Sequence, residues 1–233
     1  MRFPLLHRGT LLARRQRFLA DIRLDDGREI LAHCPNTGRM LGYSMPGLRV
    51  WASERPAAAG RCAWTWELAE LGDTLVGVHP ARANALAAEA IAAGRIAPLA
   101  GYAAARREVR YGSEGSRIDL LLSAPDRADC YVEVKSVTAA DEYGLGIFPD
   151  AVSERGLRHL RELQSVAAAG ARAVLLFCVQ RGDALAVRAA REIDAAYARG
   201  LDEARAAGVE VLAWRCAIST EAITLARRLP VLR

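Results

Sequence analysis

The sequence predicts a two-part α+β chain: a small closed β-barrel over residues 1–79, followed over 80–233 by an α/β domain with a mixed central sheet. Three observations carry this. Up to His79 the chain runs as short alternating stretches broken by tight-turn residues. At Pro80 it switches to strong helix formers, which marks the domain boundary. Beyond that point helical and strand patterns alternate, as they do when helices cover a sheet.

In order, the runs 10–15, 18–24, 29–34, 48–52, 63–71 and 74–78 read as strands. Asp25-Asp26-Gly27, Pro35-Asn36-Thr37-Gly38, Pro46-Gly47 and Gly72-Asp73 supply the turns. So many short strands in so small a segment protect their edges by closing, and a five-stranded barrel of the OB type does this. The alanine-rich stretch 80–93, stopped by Gly94, predicts a helix. Strands follow at 108–111, 117–122 and 130–137, then a helix over 153–169 with Ser153 as its N-cap. The apolar run 173–179 reads as a fully buried strand, 194–207 as a helix ended by Gly208, and 209–214 as the last strand.

Hydrophobic residues make up 52% of the 233 positions, enough to fill such cores, and the net charge of +5 suits a polyanionic partner. Five cysteines stand far apart with no Cys-x-x-Cys pair, so neither a zinc site nor a disulfide framework is implied. They read as buried thiols in a reducing compartment. No apolar run approaches the ~20 residues of a membrane helix. Met1-Arg2-Phe3-Pro4-Leu5-Leu6-His7 is charged too soon for a secretory leader, so the expected location is the cytoplasm, with no membrane partner.

Of the 32 Lys and Arg residues only Lys135 is a lysine. Where a bare positive charge is wanted this chain uses arginine, so the exception calls for the compact, pKa-adjustable ammonium that only lysine offers. Glu133 and Lys135 are two apart in one strand and share a face, while Val132 and Val134 take the packed side. Asp119 lies on the preceding strand, within reach across the turn 123–129. Two carboxylates hold a hard cation such as magnesium, with manganese as its substitute, and a lysine beside them steers an attacking hydroxide or offsets charge on phosphate. Asp119, Glu133 and Lys135 are therefore the candidate catalytic residues, the two acids being the metal ligands. An ordinary strand ion pair would account for Glu133 and Lys135 alone, but not for the aspartate or the sole lysine in a valine-rich strand.

Arg155 and His159 stand four apart on one helix face, where both can meet phosphate. In the first domain Arg14, Arg15 and Arg17 with Phe18 form a basic cluster beside an aromatic, the equipment of a groove that follows a nucleic-acid backbone. Asn36 and Arg39 belong to a polar loop with His33, Thr37 and Gly38, and Trp51, Trp64 and Trp66 are stacking platforms or core. The loop 143–150 carries glycines but no lysine in P-loop spacing. Residues 209–214 read as a strand, which excludes a helix-turn-helix reader over 201–220.

Asp119 with Glu133-Val134-Lys135 resembles the core motif of the PD-(D/E)xK nuclease superfamily, and the whole chain closely resembles the sugar fermentation stimulation protein A family. The matching stretches are 14–20, 33–38, Tyr111-Gly112, 116–119, 131–138, 148–156 and 159–163. The resemblance implies an N-terminal OB-like domain, a C-terminal restriction-endonuclease-like domain, DNA binding without marked sequence preference, and a regulatory role in bacterial maltose metabolism. It also implies a further acid from the first core helix, for which Glu89 is the match. One departure is Ala168, which stands where some branches of the superfamily carry a tyrosine four residues after a glutamine such as Gln164.

The sequence thus reads as a DNA-binding protein with a magnesium-dependent phosphodiester-cleaving site, RNA being the alternative nucleic acid. Its rival is a noncatalytic DNA-binding regulator on the same fold. A carbohydrate-acting enzyme lacks the paired acids it would need. The sequence leaves open whether two copies pair as a homodimer.

Overall fold

The structure, a computed structural model, describes residues 1–55 and 62–233. Strands β1 (Leu6–Arg15), β2 (Leu19–Leu24), β3 (Glu29–His33), β4 (Arg49–Glu54), β5 (Trp64–Leu71) and β6 (Thr74–Gly77) form the first sheet, in the order β3-β2-β1-β4-β5-β6. A parallel pairing of β3 with β5, through Ala32–Trp64 and His33–Thr65, closes β1 to β5 into a five-stranded barrel. Alternation drives the closure. Leu11, Ala20, Ile22, Ala32, Val50, Ala52 and Trp66 all turn into one core without measurable exposure.

The second sheet contains β7 (Ala104–Tyr111), β8 (Ser116–Ala124), β9 (Arg127–Val137), β11 (Arg172–Val179), β13 (Glu210–Ile218) and β14 (Ile223–Leu229), in the order β14-β13-β11-β9-β8-β7. Its centre, β9-β11-β13, is parallel and both flanks are antiparallel. Helix α1 (Arg82–Ala92) covers one face through Ala83, Leu86, Ala87 and Ala90. Helices α2 (Glu154–Ala168) and α3 (Ala195–Ala206) cover the other through Leu160, Leu163, Tyr197 and Leu201. Ser153 and Asp194 cap these two helices by accepting the amides of Gly156 and Tyr197.

Three strands escape the sequence reading. β10 (Leu145–Phe148) and β12 (Ala186–Ala189) make a two-stranded parallel ribbon, the first lying within the glycine-bearing loop. Four-residue strands carry too few positions for alternation to register. β14 is hidden because Arg227 and Arg228 interrupt its pattern and the strand bulges at Ala226, between the rungs Arg215–Arg227 and Cys216–Leu225. β7 starts at Ala104, well before the expected 108, since as an edge strand it is exposed on nearly every residue.

The two domains are joined by polar contacts. Gly77 N–H donates to Gln180 O at 2.8 Å, and the buried Gln180 amide donates to His79 O and to Ser136 Oγ at 3.1 and 2.9 Å. Arg82 at the start of α1 pairs with the buried Glu67 of β5 at 2.6 Å. All five cysteines are buried and free.

Candidate active site

The pairing of β8 with β9 stops at the candidate residues. Its registered rungs run through Leu122–Cys130, Leu121–Tyr131 and Leu120–Val132, and extending that register by one sets Asp119 opposite Glu133. The Val134 amide, which the next rung would use, instead donates to Asp119 Oδ2 at 2.7 Å. Asn84, in the first turn of α1, donates to Asp119 Oδ1 at 2.6 Å. The aspartate thus replaces a piece of ladder, and both its oxygens are fixed.

Along β9 the faces separate as the period-2 pattern requires. Val132 and Val134 join the α1-side core, while Glu133 and Lys135 face α2. There Lys135 Nζ lies 2.6 Å from Glu133 Oε1 and 3.1 Å from His159 Nδ1, and the His159 ring also contacts Glu133 Oε1. His159 is buried on α2, and its other nitrogen faces Arg155 Nε at 3.3 Å. Glu133 is only 2% exposed, yet its Oε2 has no hydrogen-bond partner among the described residues. An unpartnered buried carboxylate oxygen costs roughly 1–3 kcal/mol or more, so something outside the chain has reason to meet it. The buried hydroxyl oxygens of Tyr111 and Tyr197, also without a hydrogen-bond partner among the described residues, lie within the field of the same carboxylate.

The two acids are tuned in opposite directions. Burial, and then the charge of Glu133, push the Asp119 carboxyl up to about 6. Burial also acts to raise Glu133, but the His159 hydrogen bond and the Lys135 ammonium outweigh it and hold that carboxyl below its usual range. Burial raises both tyrosines, with Glu133 adding to it. Neighbouring carboxylates that repel one another, one carrying an open oxygen, are a donor set that fits a hard divalent cation held by one or two carboxylates and otherwise by water. A cage of three or more His, Cys, Asp or Glu side chains is not found among the described residues.

Other expected site residues lie elsewhere. Glu89 does not join the acids: its carboxylate takes the Met1 ammonium at 2.9 Å on the exposed side of α1. The helix position that meets Asp119 belongs to Asn84, a neutral donor that a search for acids passes over. Arg14 is committed to backbone, donating to the carbonyls of Arg17, Asn36 and Gly38, so it braces the turn. Arg15 pairs with Asp21 at 2.6 Å, whereas Arg17, at a φ of 66°, and Phe18 are exposed at the tip of the same hairpin. Asn36 is buried, donating to Tyr43 Oη, which in turn donates to Thr138 Oγ1 in the second domain. Arg39 is exposed, and its amide donates to Asp150 Oδ2. Gly38 sits between these anchors, where a Cβ would run into the Asp150 carboxylate. Trp64 and Trp66 belong to the barrel core and offer no stacking face.

The two-domain architecture agrees with what the chain matches. The sugar fermentation stimulation protein RE domain covers residues 81–222, and the N-terminal OB domain of the same proteins covers 12–78. The chain belongs to the sugar fermentation stimulation protein family. A sugar fermentation stimulation protein homolog from Thioalkalivibrio sulfidiphilus is 53% identical over 98% of this chain and 96% of the relative. One from Shewanella loihica is 52% identical over 98% and 97%. Among solved structures, that of Pyrococcus furiosus SfsA in complex with Ca2+ superposes with a TM-score of 0.87 at 28% identity, covering 100% of this chain and 98% of that one. Membership of the sugar fermentation stimulation family thus spans both domains.

Proposed function

We propose that this chain binds DNA without marked sequence preference and cleaves phosphodiester bonds at the Asp119–Glu133–Lys135 site with magnesium or manganese. The observation that carries the reading is the open Glu133 Oε2, buried beside a second carboxylate whose ionised form the site makes costly. Glu133 and Asp119 would hold the cation, which when bound activates water and offsets charge on the phosphate. Lys135 supplies a positive charge fixed at 2.6 Å from Glu133, positioned by His159 from α2. Asn84 and the Val134 amide hold Asp119 in place. The Ca2+ complex of the Pyrococcus relative is in keeping with a site for a hard cation.

The test is incubation of supercoiled plasmid, linear duplex, single-stranded DNA and RNA with purified protein and either metal. Nicking that Asp119→Asn and Lys135→Arg abolish supports the enzyme. A preparation that cuts none of these substrates overturns its catalytic half.

One observation favours a second reading. Glu133 Oε1 is already held by Lys135 and His159, which a purely structural ion cluster would also produce. In that case the chain is a noncatalytic DNA-binding regulator of sugar metabolism, of maltose by its resemblance. Asp119→Ala would then leave DNA binding and the regulatory effect intact.

A further inference from the structure

Among the described residues twelve arginines pair with an acid; those along one of the two edges of the large sheet are among the arginines that do not. β7 is that free edge. Arg110 on β7 registers directly against Arg117 on β8, both exposed. Arg107 registers with Leu120. Among the described residues none of the three guanidiniums enters an ion pair or a side-chain hydrogen bond. The nearby Glu114 is taken by Arg161 of α2 at 2.7 Å, and Glu108, between Arg107 and Val109, stands at a φ of 53° where the ladder is interrupted. Like charges placed directly opposite in an antiparallel pair are destabilising, and an anion between them relieves this.

The three share a face. Val109, Tyr111 and Ile118 pack toward α2, so Arg110 and Arg117, alternating with them, point to the other side. Leu120 belongs to the α1-side core, which puts its partner Arg107 on that side too. Asn84 reaches Asp119 from the same side. The charges therefore form a strip running outward from the aspartate.

The strip's own chemistry selects the partner. A second copy pairing edge to edge would set these arginines against one another. Single strands are held by aromatic platforms, but the one aromatic on β7 and β8, Tyr111, is half-buried against Tyr131 at 5.7 Å. What fits is a polyanion whose bases are turned inward. Resting on the nucleic-acid reading above, we propose that Arg107, Arg110 and Arg117 dock the phosphate backbone of double-stranded DNA beside Asp119.

The experiment is fluorescence anisotropy of a short mixed-sequence duplex, and of one of its strands, with the full chain in chelator, across a salt series. Arg107→Ala/Arg110→Ala should weaken duplex binding roughly tenfold or more and flatten the slope of log K against log salt by about 1.8, or 0.9 per lost phosphate contact. Arg191→Ala/Arg199→Ala, two exposed arginines on and before α3, removes the same charge and should leave the slope unchanged. Arg117→Glu gives Arg110 an ion partner, so it should raise the unfolding midpoint at low salt while weakening the duplex. Equal losses in the two double variants, or a loss confined to the single strand, overturn the strip and leave the cleavage reading standing. Failure of the wild-type chain to bind DNA at all overturns both.

Discussion

Lys135 Nζ stands 2.6 Å from Glu133 Oε1, two residues back on the same strand face, and the pair is almost sealed from solvent. The sole lysine, proposed to act on phosphate, is thus also the partner of a buried carboxylate. Truncation and charge-conserving replacement should differ. Lys135→Ala leaves Glu133 with less compensation and should cost roughly 3–5 kcal/mol of stability, whereas Lys135→Arg should lose activity with a smaller stability cost. Urea unfolding beside plasmid nicking separates the two effects; equal stability of all three proteins would contradict the pairing.

Asp119 sets a pH dependence with a definite sign. Its folded pKa, about 6, lies above its ordinary value of 3.8. Between those values the native state binds the proton and the unfolded state does not, so lowering the pH stabilises the fold through this group. Wild-type protein in chelator should therefore gain on Asp119→Asn between about pH 7.5 and about pH 5. Thermal unfolding midpoints of both proteins check this, and a gap that is constant or moves the other way would refute it.

Gly112 has a φ of 70°, and a Cβ on it would fall on the Glu162 carboxylate that receives the amides of Ser113 and Glu114. This contact docks the β7–β8 turn onto α2, and hence holds Tyr111 beside the site. Gly112→Ala should cost roughly 1–3 kcal/mol in denaturant unfolding through strain and a displaced carboxylate. A near-neutral result would mean that the turn is not anchored there.

Tyr43 Oη links the two domains, accepting from Asn36 and donating to Thr138 at 2.6 Å. Tyr43→Phe strands both partners and should lower stability by roughly 1–3 kcal/mol. Calorimetry should show the loss; an unchanged profile would mean that the link carries no energy.

The local part of this architecture was legible in the chain. Alternation in β9 gave the opposite faces of Val134 and Lys135, and turn residues such as Gly72 and Asp73 delimited the barrel strands. What escaped is long-range. Nothing near Asn84 announces that it will meet Asp119, 35 residues on, and nothing in 14–17 shows that Arg14 will be used on carbonyls 22 and 24 residues away. Glu89 looked like a fourth site group because the resemblance implies an acid on the first core helix, the one that carries Asn84. It is five residues further on, half a turn out of phase, and meets the N-terminus instead.

The most direct measurement is anomalous diffraction from crystals soaked in manganese. The account predicts a manganese peak at the Asp119 or Glu133 carboxylate. Saturating metal that binds elsewhere, with both carboxylates unliganded, would contradict it.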